Sequence, residues 1–182
     1  PVVFLALVFV LAASVTVLVQ SSDDIEWTTY GGDLASTRYS PADQIDASNF
    51  GDLEIAWRLT THNFGPTPEY NFQSTPLMVG GVIYTTAGTR RAVLAADATT
   101  GELLWMHRVD EGDRGAAAPR RRSGRGLTYR DDGGSGQILY VTPGYTLISL
   151  DAATGQPTPG FGDAGIVDLK QNMDQDIDLV TG

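Results

Sequence analysis

The sequence predicts an all-β chain made of short strands joined by tight turns. Three runs of strand length follow one another in the middle of the chain, at residues 80–88, 91–97 and 102–108. They are rich in β-branched, aromatic and other apolar residues, and glycine or Asp/Thr/Gly turns separate them. From Trp27 onward no long stretch has the 3.6-residue periodicity of an amphipathic helix.

An internal repeat narrows this fold class. The stretch VIYTTAGTRRAVLAADATTGE resembles the later stretch ILYVTPGYTLISLDAATGQ, with Tyr84 matching Tyr140 at a spacing of 56 and Asp97 matching Asp151 at a spacing of 54. We therefore expect two extra residues in the hairpin loop of the first copy, at GTRR. A period near 50 residues that contains only strands predicts the blades of a β-propeller, which bury their faces against one another.

The turn of this repeat has a local physical explanation. The Asp97 carboxylate can accept hydrogen bonds from the backbone amides of the turn, and Gly101 can adopt a positive φ. Trp105 is expected to pack against the next repeat unit and so close its own. The turn recurs at Asp151 and Gly155. These residues are predicted to be structural.

Composition limits the possible partners. The formal net charge of the 182 residues is -10, so binding to nucleic acid through a general electrostatic field is not expected. The twelve cations are eleven Arg and one Lys, and six of them lie between Arg114 and Arg130. A surplus of Arg suits bidentate recognition of anions, although a GC-rich genome produces the same bias. The chain has no Cys and hence neither disulfides nor thiolate sites.

The N-terminus is apolar and long enough to cross a bilayer. Residues 1–20 carry no charge, and an acidic SSDDIE segment follows them. We interpret residues 1–22 as a signal peptide or membrane anchor whose charged start is missing, because Pro1 cannot be an initiator. A buried core helix is the alternative, and the uninterrupted apolar length disfavours it. Either form of leader predicts that residues 23–182 are exported, and whether the leader is cleaved stays open.

Several segments together resemble a known family. The turn AADATTGELLW is similar to the tryptophan-docking repeat of dehydrogenases that depend on pyrroloquinoline quinone (PQQ). The other similar segments are WTTYGGDLASTRYSPADQI, AWR, QSTPLMVGGVIYTT, GRGLTY and FGDAGIVDLKQNM. In this order they most resemble the N-terminal part of the periplasmic domain of membrane-bound quinoprotein glucose dehydrogenases.

The resemblance implies an eight-bladed propeller with PQQ and Ca²⁺ on its axis. It implies oxidation of an aldose or other alcohol, with hydride passing to PQQ, an Asp acting as base, and the electrons continuing to ubiquinone. At about 50 residues per blade, residues 23–182 supply roughly three blades. We therefore expect an inactive N-terminal fragment of a periplasmic enzyme, with the catalytic Asp and the Ca²⁺ ligands outside this chain.

Two cofactor-binding residues follow from the resemblance. Arg125, in SGRGLTY, matches the arginine that the family places beside the cofactor, where a guanidinium can pair with the oxygens of a tricarboxylate quinone. Gln73, in FQSTPL, stands where related enzymes often have Glu, and its amide can still donate a hydrogen bond. The alternatives are a solvated arginine in a glycine-rich loop and an ordinary polar residue at the start of a strand.

Other features bear on the type of enzyme. The methanol dehydrogenases place two adjacent Cys shortly before this arginine, and the absence of Cys here favours the glucose or sugar type. A non-enzymatic propeller that serves as a binding or assembly scaffold would explain the repeats equally well, but not the SGRGLTY segment. His107 is expected to be an exposed or rim residue, residues 173–178 are expected to form a solvated acidic loop, and residues 133–136 a hairpin loop.

Overall fold

The computed structural model describes residues 25–121 and 126–182. Each of its two sheets has four antiparallel strands that lie side by side in chain order. The first sheet contains β1 (Leu77–Val79), β2 (Val82–Ala87), β3 (Ala92–Asp97) and β4 (Leu103–His107), and the second contains β5 (Thr128–Arg130), β6 (Gln137–Val141), β7 (Thr146–Asp151) and β8 (Ile166–Asp168). The prediction of an all-β chain is confirmed.

Little helix accompanies the strands in the described residues. A 3₁₀ turn spans Phe50–Asp52, and a short helix α1, Gly112–Ala117, lies between the two sheets along the chain. Within the described ranges, no helix is long and apolar enough to cross a membrane. The apolar segment at residues 1–22 lies outside the described residues, so the predicted leader stays a prediction.

The core forms where the two sheets pack face to face. Alternate residues of a strand point to opposite faces, which places Ile138 and Tyr140 of β6 on one face and Leu139 and Val141 on the other. Ile138 and Tyr140 are buried against residues of the first sheet, including Leu77, whereas Leu139 and Val141 are half-buried. The second sheet therefore has one face in the core and one face directed away from the first sheet.

The two hairpins differ in a way that the repeat spacing does not show. Asp97 lies opposite Val82 and Asp151 opposite Gln137, so the first hairpin is longer by one residue between these pairs. The two tyrosine–aspartate spacings within the copies differ by two residues. The second residue of that difference arises because Tyr140 lies three positions after Gln137, whereas Tyr84 lies two positions after Val82. The expectation of two extra loop residues is wrong, because the register of a hairpin also depends on which residue pairs with the turn aspartate.

The two aspartate turns have the predicted local hydrogen bonds. Oδ1 of Asp97 accepts hydrogen bonds from the backbone N–H groups of Thr99 and Thr100 at 2.9 and 2.7 Å. Oδ1 of Asp151 accepts one from the Thr154 N–H at 2.8 Å. The closing glycines have positive φ, as expected.

Each aspartate turn also receives a tryptophan from an earlier part of the chain. Trp105 donates through Nε1 to the Ala152 carbonyl at 2.9 Å, and its ring lies against Gly155. Trp57 makes the same contact with the first sheet, donating to the Ala98 carbonyl at 3.0 Å. The prediction that Trp105 closes onto the next unit is confirmed, and Trp57 adds a second contact of this kind that the repeat alone did not reveal.

Candidate functional site

The candidate site lies at one end of the two sheets. We call it the site end, meaning the end at which β2 turns into β3 and β6 turns into β7. Gln73 precedes β1 by four residues and Gly126 precedes β5 by two, so both belong to segments that reach this end. Helix α1 also lies here, because it follows β4 along the chain.

Gln73 is placed at the site end with an exposed side chain. It makes no hydrogen bond with any other described residue. The next residue, Ser74, is buried, and its Oγ accepts hydrogen bonds from the Thr85 hydroxyl at 3.2 Å and from the Thr86 N–H at 3.4 Å. The chain that carries Gln73 is therefore fixed to β2, while the amide itself is accessible to a ligand.

Arg125 lies outside the described residues, together with residues 122–124. The chain on both sides of it is described. Arg120 and Arg121 are exposed, and Leu127 is buried in the core with 4% exposure. At Gly126 no atom lies within 4 Å of the position that a Cβ would take, so its surroundings are open. The assignment of Arg125 to the cofactor stays a prediction.

A cavity of about 430 Å³ adjoins this segment. Its lining includes Arg91, Arg120, Gly126, Val141 and Tyr145. The volume falls within the range of about 300–1,000 Å³ that is usual for small-molecule sites. Because two guanidinium groups belong to residues of its wall, the cavity suits an anionic ligand in chemical terms.

Arg91 is the residue of this wall that sequence reasoning missed. It is only 4% exposed, and its guanidinium donates from Nη1 to the Val141 carbonyl at 2.7 Å and from Nη2 to the Arg120 carbonyl at 3.0 Å. Its partners lie 50 and 29 residues away along the chain. No local pattern in GTRR distinguishes this buried cation from the exposed Arg90 beside it.

Glu69 supports the same hairpin. Its side chain is nearly buried, and Oε2 accepts a hydrogen bond from the Gly88 N–H at 2.7 Å. A Cβ at Gly88 would lie 2.6 Å from the Phe64 carbonyl oxygen, and φ there is +74°. The β2–β3 turn is therefore held closely by the segment that precedes β1, and glycine is required at its first position.

Helix α1 joins the two sheets at the site end. Glu111 directly precedes the helix, and its carboxylate accepts hydrogen bonds from the Thr142 hydroxyl at 2.5 Å and the Gly144 N–H at 2.8 Å. Arg114 forms a two-point ion pair with Asp168 at 2.6 and 2.8 Å, and its Nε donates to the Gly144 carbonyl. These contacts fix the β6–β7 turn on the chain that leaves the first sheet.

The ion pair changes the acidity of its carboxyl group. The hydrogen bonds from Arg114 hold the pKa of Asp168 well below its ordinary value. Asp168 also accepts a hydrogen bond from the Lys170 N–H at 3.0 Å, which acts in the same direction. Burial opposes both effects but does not cancel them, so Asp168 is ionised at neutral pH.

His107 is half-buried, so the expectation of an exposed residue is wrong. Its ring lies edge-on to that of Tyr140 in the neighbouring sheet, with 6.2 Å between ring centroids, and its Nε2 is buried without a partner among the described residues. Burial lowers the pKa of His107, against a smaller opposing effect of the Gly155 backbone. Alternation along β4 could not reveal this, because the burial comes from the second sheet.

The remaining candidates give no second site. Within residues 25–121 and 126–182 no group of three or more His, Asp or Glu side chains could hold a metal ion together. Asp174, Asp176 and Asp178 of the acidic stretch are exposed. Residues 133–136 form the loop between β5 and β6, as predicted.

Comparison with known proteins agrees with this architecture. The chain is 31% identical over 162 residues to the glycerol dehydrogenase large subunit of Gluconobacter oxydans (strain 621H), covering 84% of this chain and 21% of that protein. It is 28% identical over 167 residues to a quinoprotein glucose dehydrogenase of the same organism, covering 80% of this chain and 20% of that protein. Both matches extend over most of the chain.

A solved structure gives the same result. The quinohemoprotein alcohol dehydrogenase ADHIIG from Pseudomonas putida HK5 matches with a TM-score of 0.62 at 27% identity, over 81% of this chain and 19% of that one. The chain thus spans about a fifth of the length of the relatives it matches. Residues 27–181 match the family described as PQQ, glucose/ethanol/alcohol dehydrogenase, β-propeller domain, and the chain belongs to this family of PQQ-dependent dehydrogenases.

Proposed function

We propose that this chain is the N-terminal part of a PQQ-dependent dehydrogenase that oxidises an aldose such as glucose, or another alcohol, and passes the electrons to ubiquinone. The family match over residues 27–181 carries the proposal. The two four-stranded sheets are then neighbouring blades of an eight-bladed propeller. Residues 23–182 supply its first blades, and residues 1–22 are a signal peptide or an anchor in the inner membrane of a periplasmic enzyme.

The described residues fit PQQ in their chemistry. PQQ is a planar tricarboxylate, and the cavity at the site end has Arg91 and Arg120 in its wall and open space beside Gly126. We assign its binding to Arg125, which directly precedes Gly126, and to the exposed amide of Gln73. A guanidinium pairs with carboxylate and quinone oxygens through two parallel N–H donors, which fixes orientation as well as affinity.

When bound, PQQ supplies the acceptor for the two electrons and the hydrogen that leave the substrate carbon as hydride. An aspartate outside this chain takes the hydroxyl proton in this proposal, so that the alcohol becomes a carbonyl compound. The Ca²⁺ ligands are likewise assigned to another part of the protein. The role proposed for this chain is to bind and orient the cofactor, and turnover belongs to the whole enzyme.

Substitution of the two arginines tests the proposal in the full-length protein. Arg125→Ala is expected to raise the dissociation constant for PQQ about 30-fold, since hydrogen bonds to charged groups contribute about 2 kcal/mol. Arg121→Ala is the matched control, because Arg121 is exposed in the same connection and receives no cofactor contact in the proposal. The measurement is an equilibrium titration of the apoprotein with PQQ in the presence of Ca²⁺.

The outcomes separate the hypotheses. Equal losses in the two variants would contradict the assignment of Arg125. Wild-type protein that neither binds PQQ nor oxidises aldoses or alcohols would refute the enzymatic function, and would leave a non-enzymatic propeller that acts as a binding or assembly scaffold.

A further inference from the structure

We infer that Arg91 is a positioning residue of the cofactor site, one that holds the chain at Arg120 and the end of β6 in place beside the cavity without itself being needed as a ligand. The inference rests on the proposed binding of PQQ and adds a residue to the site.

The backbone conformation and the burial of Arg91 are both unusual for a long, charged residue. Its φ is +54°, in the left-handed region that favours glycine, and its side chain is almost fully buried. A buried guanidinium requires acceptors for its N–H donors. The chain therefore accepts both an unfavourable backbone conformation and a buried charge at this position, a combination that persists only where the surroundings strongly determine it.

The acceptors of Arg91 belong to two separate segments of the chain that both line the cavity. Nη1 donates to the carbonyl of Val141, at the end of β6, and Nη2 donates to the carbonyl of Arg120, in the irregular chain after α1. Arg91, Val141 and Arg120 all line the cavity of about 430 Å³. The planar Arg91 guanidinium, whose N–H donors have a fixed geometry, thus sets the distance between the end of β6 and the chain at Arg120.

The hairpin that carries Arg91 is itself anchored. The Arg91 N–H donates to the Gly88 carbonyl at 3.2 Å, and the Gly88 N–H donates to the nearly buried Glu69. A continuous set of contacts therefore runs from the segment before β1, through the β2–β3 turn, to Arg120. Arg120 follows α1 by three residues, and Leu127, directly before β5, packs in the core.

Loss of these contacts should affect the ligand more than the fold. Val141 is also held by its pairing with Leu147 in the β6–β7 ladder, so β6 keeps its register without Arg91. Arg120 lies outside any strand or helix, and its carbonyl loses a charged donor when Arg91 is replaced. The position of residues 118–121 then becomes less well defined, and cofactor binding must supply the ordering that Arg91 provides in the wild type.

The experiment compares PQQ affinity with thermal stability in full-length apoprotein. Arg91→Ala is expected to raise the PQQ dissociation constant by about 10- to 100-fold, the range typical of residues that orient direct ligands. Arg91→Lys keeps the charge and can donate to one of the carbonyls, so it should give an intermediate value. Arg90→Ala is the matched control in the same hairpin, because the Arg90 side chain is exposed and its ion pair with Asp110 lies in solvent.

The affinity is measured by titration with PQQ and Ca²⁺ at a temperature where each apoprotein is fully folded. A loss of at least tenfold in Arg91→Ala, with Arg90→Ala unchanged, supports the inference. Wild-type affinity in folded Arg91→Ala overturns it and leaves the proposed function standing. If Arg91→Ala does not fold, Arg91→Lys decides by the same comparison. Absence of PQQ binding in the wild type would instead refute the proposed function, and the inference with it.

Discussion

Replacement of Gly155 by alanine tests the contact that joins the two sheets through Trp105. A Cβ at Gly155 would lie 2.5 Å from Cε3 of the Trp105 indole, and φ at Gly155 is +69°. The left-handed conformation costs an L-residue about 1–2 kcal/mol, and forcing extra volume into a packed contact costs about 1–3 kcal/mol. We therefore expect Gly155→Ala to lower the free energy of unfolding by about 2–5 kcal/mol.

A matched control separates the two contributions. Gly133 has nearly the same backbone conformation, with φ at +78°, but no atom lies within 4 Å of the place a Cβ would take. Gly133→Ala should therefore cost only the conformational part, about 1–2 kcal/mol. Both variants are compared with the wild type by urea unfolding of the full-length protein at constant m-value.

A double-mutant cycle gives the sharper result. In a Trp105→Ala background the indole is gone, so Gly155→Ala should cost no more than Gly133→Ala does. If Gly155→Ala is equally costly with and without the indole, or if the two glycine variants are equivalent in the wild-type background, then the packing of Trp105 on Gly155 does not hold the sheets together as described.

Two further predictions concern pH. Arg114→Ala should lower the free energy of unfolding at pH 7 by about 2 kcal/mol, since the two-point pair with Asp168 is partly buried and charge-assisted. Because the pKa of Asp168 is depressed in the fold, the stability that this pair contributes is present above about pH 4 and declines as pH falls further, so the difference from wild type should shrink in acid. Arg58→Ala, at an exposed position, should show neither effect. The pKa of His107 is lowered in the fold, so the unfolded chain binds the proton first and the wild type should lose stability as pH falls below about 6.5. His107→Phe should abolish this loss, measured by urea unfolding between pH 8 and pH 5. A variant with the same pH profile as the wild type would show that His107 is not kept neutral by burial.

The strands and the aspartate turns were predictable because their causes are local. The Asp97 carboxylate binds amides two and three residues away, and runs of β-branched, aromatic and other apolar residues mark β2, β3 and β6 within windows of five or six residues. The repeat of this pattern was sufficient for the prediction of a propeller. Its spacing predicted two extra residues in the loop of the first hairpin, whereas the register makes that hairpin longer by one, because register depends on cross-strand pairing.

Part of the candidate site came from resemblance and part needed the tertiary structure. Arg125 and Gln73 were assigned from the segments that contain them, and Gln73 is exposed at the site end. Arg91 was missed because its acceptors are carbonyls of Arg120 and Val141, groups that every residue carries and that no sequence pattern marks. The burial of Glu69 and His107 likewise depends on neighbours brought together only by folding.

The sequence by itself therefore determined the strands, the turns, the repeat and the family, because these depend on short-range hydrogen bonding, alternation and residue order. Only the tertiary structure decided which groups meet across the two sheets: Trp105 with Ala152, Arg91 with Val141, and Arg114 with Asp168, pairs that are 47, 50 and 54 residues apart. The physical reason is that such contacts arise from the packing of one sheet against the other. The sequence around each of these residues is compatible with many different distant contacts, so it does not specify which one forms.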